Sequence, residues 1–528
     1  MIFDLIWHNK IMKNNRFFKG TIILIVCNLI GKVLGAVYRI PLAKIVGAEG
    51  MGMYQLVFPL YALILTISTS GIPTSISKLT AEYNSVGRKK DAKRLLFISV
   101  LILTTVSVLG SCVIVVCAKG ISSLQGNSGA YMCYYGIAPA VLFVGVLSAF
   151  RGYFQGNLLM FPTAVSGLVE QVFKIIAGLT MAAKFAYLGT EYAVFGALLG
   201  VSVSELISFV FLFVCYIFYA KKHKEIEAQQ IYSYRTLAKN LIVSSVPITL
   251  GGLISPITSL IDSLLIVNVL MFAGFSSEIS TIMLGVQSGV VEPLVNIPVI
   301  LAVSISTVMI PNISTLMKKG TAEDVKDMIE RGYQTTLSIA LACAVCFIVF
   351  GEQIIMFLYG SNFDFFETNM AIKLLMLGGI NVVALSLVQV SASVLQGIDE
   401  SNYSMKMLVI GCILKIVFDV LLVRNVEINI YGSIISGIIS YSAVFLFNYF
   451  KIKNKTSATL VKPYFYVSIQ TCFVCLFAFF LNMLFKMVLG DVLSLFVSGF
   501  VVVMIFIATY YMFFMQDKTD VNLVRKNN

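Results

Sequence analysis

Residues 20–46 read GTIILIVCNLIGKVLGAVYRIPLAKIV, an apolar run whose body contains the basic residues Lys32 and Arg39. A helix that crosses a membrane needs about 20 mostly apolar residues, so this run is long enough to span. The run follows a basic stretch, residues 1–19, and it is longer than the apolar core of a signal peptide. We therefore predict a retained first transmembrane helix.

Similar apolar runs recur along all 528 residues. Apolar residues make up 58% of the chain and charged residues 12%, half the ~25% that is typical of soluble domains. This composition excludes a water-soluble enzyme, a nucleic-acid-binding domain and a secreted disulfide scaffold. The predicted fold is an all-α polytopic membrane protein with fourteen transmembrane helices, at residues 20–46, 52–80, 95–118, 131–150, 162–186, 190–219, 240–272, 281–314, 332–358, 370–397, 405–424, 431–450, 464–486 and 491–515.

The Lys and Arg residues orient these spans, because cytoplasmic loops carry an excess of both. They cluster at alternate connections, as in residues 88–94, 221–239, 318–331 and 451–462. The opposite connections hold Lys44, Lys119, Lys184, Arg424 and Lys486. Both termini are therefore predicted to be cytoplasmic, and the net charge of +12 reflects membrane topology rather than a nucleic-acid partner.

No motif for catalysis or metal binding is recognisable in the sequence. The ten cysteines fall inside or at the ends of apolar spans, where they are expected to pack as small apolar side chains. This includes the pairs Cys343-x-x-Cys346 and Cys472-x-x-Cys475, and the only histidines are His8 and His223. We predict that the protein is not an enzyme and uses no cofactor or metal.

An internal repeat joins the two halves of the chain. Pro73, in SGIPTSIS (70–77), and Pro311, in MIPNIST (309–315), lie 238 residues apart. Gln155-Gly156 matches Gln396-Gly397 at an offset of 241, and Lys174 matches Lys415 at the same offset. The repeat unit is six helices, so both copies enter the membrane in the same direction, as in transporters whose substrate lies between two lobes.

This repeat defines the predicted domain organisation: two pseudo-symmetric six-helix lobes followed by two further helices. The predicted parts are a cytoplasmic N-terminal segment (1–19), an N-lobe (20–219), a basic cytoplasmic linker (220–239), a C-lobe (240–450), a basic cytoplasmic loop (451–463), the last two spans (464–515) and a cytoplasmic tail (516–528).

Several charged residues lie within the apolar spans, where a charge costs at least ~2.5–3.5 kcal/mol. Lys32 and Arg39 are seven residues, or two helical turns, apart and therefore share one face of the first helix. We expect this cationic stripe to face inward. Arg151, where the fourth span meets the cytoplasm, either contacts lipid phosphate or anchors the helix.

Two i,i+4 pairs carry opposite charges. Glu170 and Lys174 occupy the fifth span, and Lys415 and Asp419 the eleventh. Each pair could form a local ion pair or belong to a transport site. Asp262, in the seventh span, is the best single candidate for a coupling-ion or proton site.

Glu292 directly precedes Pro293 in the eighth span, with Pro298 following. Proline in a helix interior kinks or breaks it, and broken helices often line transport sites. We therefore place Glu292 with Lys32, Arg39, Arg151, Glu170 and Lys174 as candidate substrate-binding residues, and Asp262, Lys415 and Asp419 as candidate ion-coupling residues.

The basic residues favour cargo with an anionic head group. A pyrophosphate head cannot cross hydrocarbon unaided, because desolvating an isolated charge is prohibitive. Arginine binds such groups through bidentate hydrogen bonds and lysine as a point charge.

Residues 31–47 (GKVLGAVYRIPLAKIVG) resemble the first-helix signature of the MATE/Wzx/MurJ-type flippase superfamily. Together with 49–54 (EGMGMY), 70–78 (SGIPTSISK), 151–156 (RGYFQG) and 169–174 (VEQVFK), they resemble its stage V sporulation protein B branch, the polysaccharide-biosynthesis group of Gram-positive bacteria. This resemblance implies a multi-pass plasma-membrane protein that moves undecaprenyl-pyrophosphate-linked sugars outward by alternating access. It also implies partners in the lipid bilayer and in cell-wall or spore-cortex synthesis.

The sequence also departs from relatives of this type. Gram-negative lipid II flippases resemble it at Lys32, but they carry an arginine where this chain has Tyr38 and another late in the second helix. Arg39 is expected to take part of that role. Some members have a sodium site in the seventh and eleventh helices, which Asp262 and Asp419 match. Here Lys415 lies one turn before Asp419 and is expected to replace the ion.

The leading hypothesis is a flippase for lipid II or a related cell-wall or polysaccharide precursor. One alternative is a multidrug/cation antiporter of the same superfamily, which the cationic first span disfavours. Another is a membrane-embedded glycan polymerase, which is disfavoured because the longest predicted external connection is only about a dozen residues, too short for the catalytic loop of such enzymes.

Overall fold

The structure is a computed structural model. It describes residues 16–222, 232–360, 362–459, 467, 470–471, 473–484, 494, 497–502 and 504–506. Several predictions lie outside these residues: most of the N-terminal segment (1–15), part of the basic linker (223–231), much of the last two spans and the cytoplasmic tail (516–528). His8, His223 and Cys472 lie outside them as well.

The first half of the chain forms six helices. They are α1 (Arg16–Thr69), α2 (Gly71–Ser85), α3 (Lys89–Leu124), α4 (Tyr131–Gly156), α5 (Met160–Phe185) and α6 (Thr190–Lys222). Gly47 divides α1 into a first arm (16–46) and a second arm (48–69), because its backbone angles, φ 69° and ψ −177°, are not helical. This region of backbone space is essentially restricted to glycine.

Between residues 232 and 456 the structure describes eight further helices, and a π-helical segment, Gly285–Val291, separates the third of these from the fourth. They are α7 (Tyr234–Gly252), α8 (Ile254–Phe272), α9 (Ser277–Leu284), α10 (Glu292–Lys319), α11 (Ala322–Tyr359), α12 (Phe365–Gly397), α13 (Ser401–Val423) and α14 (Tyr431–Thr456). Near Glu292, where a break or kink was predicted, the helix changes from π to α, and the stretch from residue 277 to 318 stays helical through Pro293 and Pro298.

The all-α fold class is confirmed. The described ranges contain helices and no strand, and each of the first twelve predicted spans overlaps one or more of them. Within these ranges, nine helical stretches are long and apolar enough to cross a membrane. The predicted number of fourteen spans remains a prediction.

By internal packing the chain divides into two compact units. Unit 1 comprises residues 1–268 and 277–285, and unit 2 comprises residues 269–276 and 286–528. Helix α7, most of α8 and all of α9 therefore pack with the first six helices. The N-lobe and C-lobe boundaries drawn from the sequence repeat stay a prediction.

The two halves of the repeat make equivalent contacts. In unit 1, the end of α4 approaches α2 so closely that a Cβ on Gly156 would lie 2.6 Å from the Ser77 carbonyl oxygen. In unit 2, the end of α12 also lies close to α10: a Cβ on Gly397 would lie 2.9 Å from Ile313 Cβ, and Ser314 donates a 3.0 Å hydrogen bond to the Gly397 carbonyl oxygen. The matched sequence motifs are thus matched packing sites.

Each unit has its own apolar core. In unit 1, Ile76, Leu95, Leu147 and Phe154 are fully buried between α2, α3 and α4. In unit 2, Ile313, Ile329, Val394 and Ile452 form the corresponding buried cluster.

Ion pairs join the end of α14 to Glu400, which follows the end of α12. Lys455 and Lys451, near the end of α14, lie 3.0 Å and 3.4 Å from a carboxylate oxygen of Glu400. Hydrogen bonds from these two lysines, with that from Lys455 the larger effect, hold the pKa of Glu400 below its usual value of 4.5.

Candidate functional site

Arg151, near the end of α4, binds side chains of α5 and α6. Its Nη2 atom lies 2.9 Å from Glu170 Oε2 and 3.5 Å from Ser208 Oγ, and its Nε atom donates to Ser166 Oγ at 3.1 Å. The Arg151 and Glu170 side chains are 23% and 18% exposed. Of the two roles expected for Arg151, the structure supports the anchor, since the guanidinium ties three helices together.

Glu170 therefore pairs across helices with Arg151. Its second oxygen, Oε1, accepts a 3.0 Å hydrogen bond from Gln171 Nε2. Gln171 in turn packs on the first arm of α1, where Gly31 and Gly35 leave room for it. The local i,i+4 pair with Lys174, one of the two possibilities open from the sequence, is not the pairing observed.

Two cations of the cluster lie against aromatic rings. Lys174 Nζ lies 5.7 Å from the centre of the Tyr38 ring, and Arg39 Cζ lies 5.9 Å from that of Phe58. These distances allow cation–π attraction. Within the part of the chain that the structure describes, Lys174 makes no ion pair.

Glu205, near the middle of α6, adds a buried acid that was not among the residues predicted for the site. It is 4% exposed, and Tyr61 Oη donates to its Oε1 at 3.5 Å. It lies within electrostatic range of Glu170, Arg151 and Lys174. An acid in the middle of an apolar run was the available sequence signal, but its neighbours come from three other helices.

We call Arg39, Arg151, Glu170, Lys174 and Glu205, with the rings of Tyr38, Phe58 and Tyr61, the unit 1 charged cluster. Its three cations outnumber its two carboxylates. One carboxylate, that of Glu170, is already bound to a guanidinium, so the cluster favours an anionic group.

Unit 2 contains a separate charged pair on α13. Lys415 Nζ lies 2.8 Å from Asp419 Oδ2, and Ser436 of α14 donates a hydrogen bond to Asp419 Oδ1. Asp419 is 3% exposed. The lysine ammonium thus lies against the carboxylate that a metal cation would need, as the sequence led us to expect.

The remaining candidates lie elsewhere. Lys32 is exposed on the first arm of α1, Asp262 is half-buried on α8, and Glu292 is exposed at the start of α10. Asp262 belongs to unit 1, whereas Lys415 and Asp419 belong to unit 2. No group of three or more His, Cys, Asp or Glu side chains that could hold a metal ion occurs among the described residues.

The family model for polysaccharide biosynthesis proteins matches residues 17–317, more than half of the chain. The chain belongs to this polysaccharide biosynthesis family. The match includes all of the unit 1 charged cluster.

Two proteins of Bacillus subtilis are similar to this chain over about two thirds of its length or more. It is 28% identical to the lipid II flippase MurJ over 466 residues, which cover 84% of this chain and 83% of that protein. It is 29% identical to stage V sporulation protein B over 355 residues, which cover 66% of this chain and 68% of that protein. These relatives confirm the resemblance seen in the sequence.

Solved structures show the same fold at low sequence identity. A lipid II flippase MurJ in an inward closed conformation superimposes with a TM-score of 0.69 at 16% identity, covering 94% of this chain and all of that one. An inward-facing multidrug MATE transporter of the MOP superfamily gives 0.64 at 14% identity, covering 81% and 96%. The chain therefore has the multi-pass membrane fold of these structures, and its relatives in Bacillus subtilis are a flippase and a sporulation protein rather than enzymes.

Proposed function

We propose that this protein is a flippase that moves an undecaprenyl-pyrophosphate-linked glycan across the bacterial plasma membrane by alternating access. The cargo is lipid II or a related cell-wall or polysaccharide precursor. The similarity to the lipid II flippase and to stage V sporulation protein B supports this cargo class. Both chain termini are proposed to be cytoplasmic, from the distribution of Lys and Arg.

Lys174 carries the proposal. It is a cation within a membrane-spanning helix, it lies over an aromatic ring, and no carboxylate of the described residues pairs with it. A lone charge in such surroundings is costly. An anionic pyrophosphate head would supply the missing counter-charge.

The other charged residues take different parts in this proposal. Arg39, on the first arm of α1, binds the head group together with Lys174, and Lys32, exposed two turns away on the same arm, stays a predicted contact. Arg151 and Glu170 act as positioning residues, because their ion pair orients α4 and α5 around Lys174. Glu292, exposed at the start of α10, stays a candidate substrate-binding residue from the sequence alone.

A reconstituted system tests the proposal. The purified protein is placed in liposomes with fluorescent lipid II, and the labelled lipid that reaches the other leaflet is measured. Lys174→Gln should abolish flipping. Lys184→Gln, an exposed lysine on the same helix, should flip lipid II at the rate of the unaltered protein. Flipping at an unchanged rate by Lys174→Gln would refute the proposed role of this residue.

The buried acid Glu205 favours one alternative, a cation antiporter, since multidrug transporters share the fold. The same liposomes distinguish the two functions. A cation antiporter would accumulate a fluorescent organic cation and leave lipid II in place, whereas the flippase would do the reverse.

A further inference from the structure

We propose that Glu205 is a proton-binding site, and that proton binding there is linked to the binding of the anionic head group at Lys174. The proposal of a proton site is based on the geometry of α6 and the helices that pack against it. Its link to cargo rests on the proposed flippase function.

The surroundings of Glu205 suit the protonated carboxyl group. The residue is 4% exposed and lies near the middle of a membrane-spanning helix. Its Oε1 atom receives one long hydrogen bond, 3.5 Å, from Tyr61. Its Oε2 atom is buried without a hydrogen-bond partner among the described residues. A buried carboxylate normally has several strong donors or a paired cation, and Glu205 has neither.

The nearby cations contact side chains other than Glu205. On α4, Arg151 binds Glu170, Ser166 and Ser208. On α5, Lys174 lies over the Tyr38 ring, and the charges of Glu170 and of Arg39 on α1 act on it electrostatically. On the second arm of α1, Tyr61 faces Glu205 as a neutral phenol. A proton on Glu205 therefore explains why no cation has turned toward it.

Loss of the proton changes this balance. The O–H bond breaks, the electron pair stays on the carboxylate, and the proton passes to water on the side that is open. The new negative charge attracts the nearest mobile cation. Arg151 is held by three side chains, whereas Lys174 is a flexible ammonium with no ion pair to any described residue, so Lys174 is the cation that moves.

The cargo and the proton then favour each other. A protonated Glu205 leaves Lys174 available for a pyrophosphate, and an ionised Glu205 competes with the pyrophosphate for the same ammonium. Such coupling is reciprocal, so bound head group must also increase the affinity of Glu205 for its proton. A proton would thus enter and leave the site together with the anionic lipid.

Infrared spectroscopy tests the proton site without any cargo. The infrared spectrum of the full-length protein in lipid nanodiscs is recorded while the pH is raised from neutral to alkaline. We expect the carbonyl band of a protonated carboxyl group to disappear. We expect this change to be absent in Glu205→Gln and present in Glu191→Gln, which alters an acid in the first turn of the same helix. Glu205→Asp should keep a titrating band at a shifted position, which shows that the site still folds. A titrating band in Glu205→Gln that is unchanged would overturn the assignment.

Flipping in proteoliposomes tests the link to cargo. The rate for fluorescent lipid II should change at least several-fold with an imposed pH gradient, and Glu205→Gln should flip at a rate that the gradient no longer alters. A gradient dependence that persists in Glu205→Gln would refute the link. If the unaltered protein moved no lipid-linked glycan, the proposed function would fail, while the infrared result would still decide the proton site.

Discussion

Arg39 lies half-buried on the first arm of α1, with its guanidinium near the Phe58 ring. Replacement by glutamate puts a negative charge where the proposed head group binds. A charged hydrogen bond contributes about 1.5–3 kcal/mol, so Arg39→Glu should lower lipid II flipping by about tenfold or more. Arg39→Lys should retain part of the rate. Complementation of a flippase-deficient strain, with protein abundance measured in parallel, provides the check, and full complementation by Arg39→Glu would discard the cationic stripe.

The Arg151–Glu170 ion pair is predicted to stabilise unit 1. Exposed pairs contribute about 0–1 kcal/mol, and removing one partner of a buried pair costs about 3–5 kcal/mol. Since these side chains are about one-fifth exposed, we expect each of Arg151→Gln and Glu170→Gln to cost about 2 kcal/mol. The double variant should cost less than the sum. Unfolding in detergent micelles gives the free energies of this double-mutant cycle. Strictly additive effects would show that the two side chains are not coupled.

The Lys415–Asp419 pair on α13 predicts insensitivity to sodium. The lysine ammonium, 2.8 Å from the carboxylate, already neutralises it. The melting temperature of the unaltered protein should therefore be the same in sodium and potassium chloride. Lys415→Ala leaves a buried carboxylate with open space beside it, and sodium should stabilise that variant selectively. A sodium-specific shift in the unaltered protein would contradict this interpretation of the site.

On the scale of secondary-structure elements, glycines allow neighbouring helices to approach each other closely. A Cβ on Gly52, in the second arm of α1, would lie 2.7 Å from Thr281 Cγ2 on α9 and closer still to the Thr281 carbonyl oxygen. A Cβ on Gly285 would lie 2.5 Å from the Gly52 backbone nitrogen. Small residues at such crossings let helices approach in a membrane, where the hydrophobic effect does not drive them together.

Gly52→Ala is therefore expected to force α9 away from α1. Overpacking of this kind costs about 1–3 kcal/mol, and the melting temperature in detergent should fall accordingly. Gly120→Ala is the matched control, because a Cβ there meets nothing within 4 Å, and alanine is the better helix former. Equal melting temperatures for Gly52→Ala and the unaltered protein would show that the crossing relaxes freely.

At the scale of the whole molecule, the distribution of basic residues predicts the topology. Lys119 and Lys89, at opposite ends of α3, are both exposed. In a cysteine-free background, Lys119→Cys should react with a membrane-impermeant thiol reagent added outside intact cells. Lys89→Cys should react only after the cells are opened. The reverse pattern would overturn the orientation and the sidedness of every proposed site.

The candidate site shows how far sequence reasoning reaches. Lys32, Arg39, Lys174 and Asp419 were identifiable because a charge in an apolar run is visible and costly wherever the chain folds. Which partner each charge takes was not visible. Glu170 binds Arg151, nineteen positions away, and Glu205 meets Tyr61 of another helix, because these choices depend on how helices rotate and cross.

The sequence by itself determined the helical class and the matched motifs of the internal repeat, and the number of membrane spans stays a prediction. A helix in a membrane must satisfy its own backbone hydrogen bonds, so it is long and apolar. These features depend on residues that are close in the sequence. The tertiary structure decided the rest: α9 packs with unit 1 through Gly52 and Gly285, and Lys174 lies over Tyr38 while Arg151 takes Glu170. Such contacts join residues far apart in the chain, and their energies depend on distances that only the packed helices set.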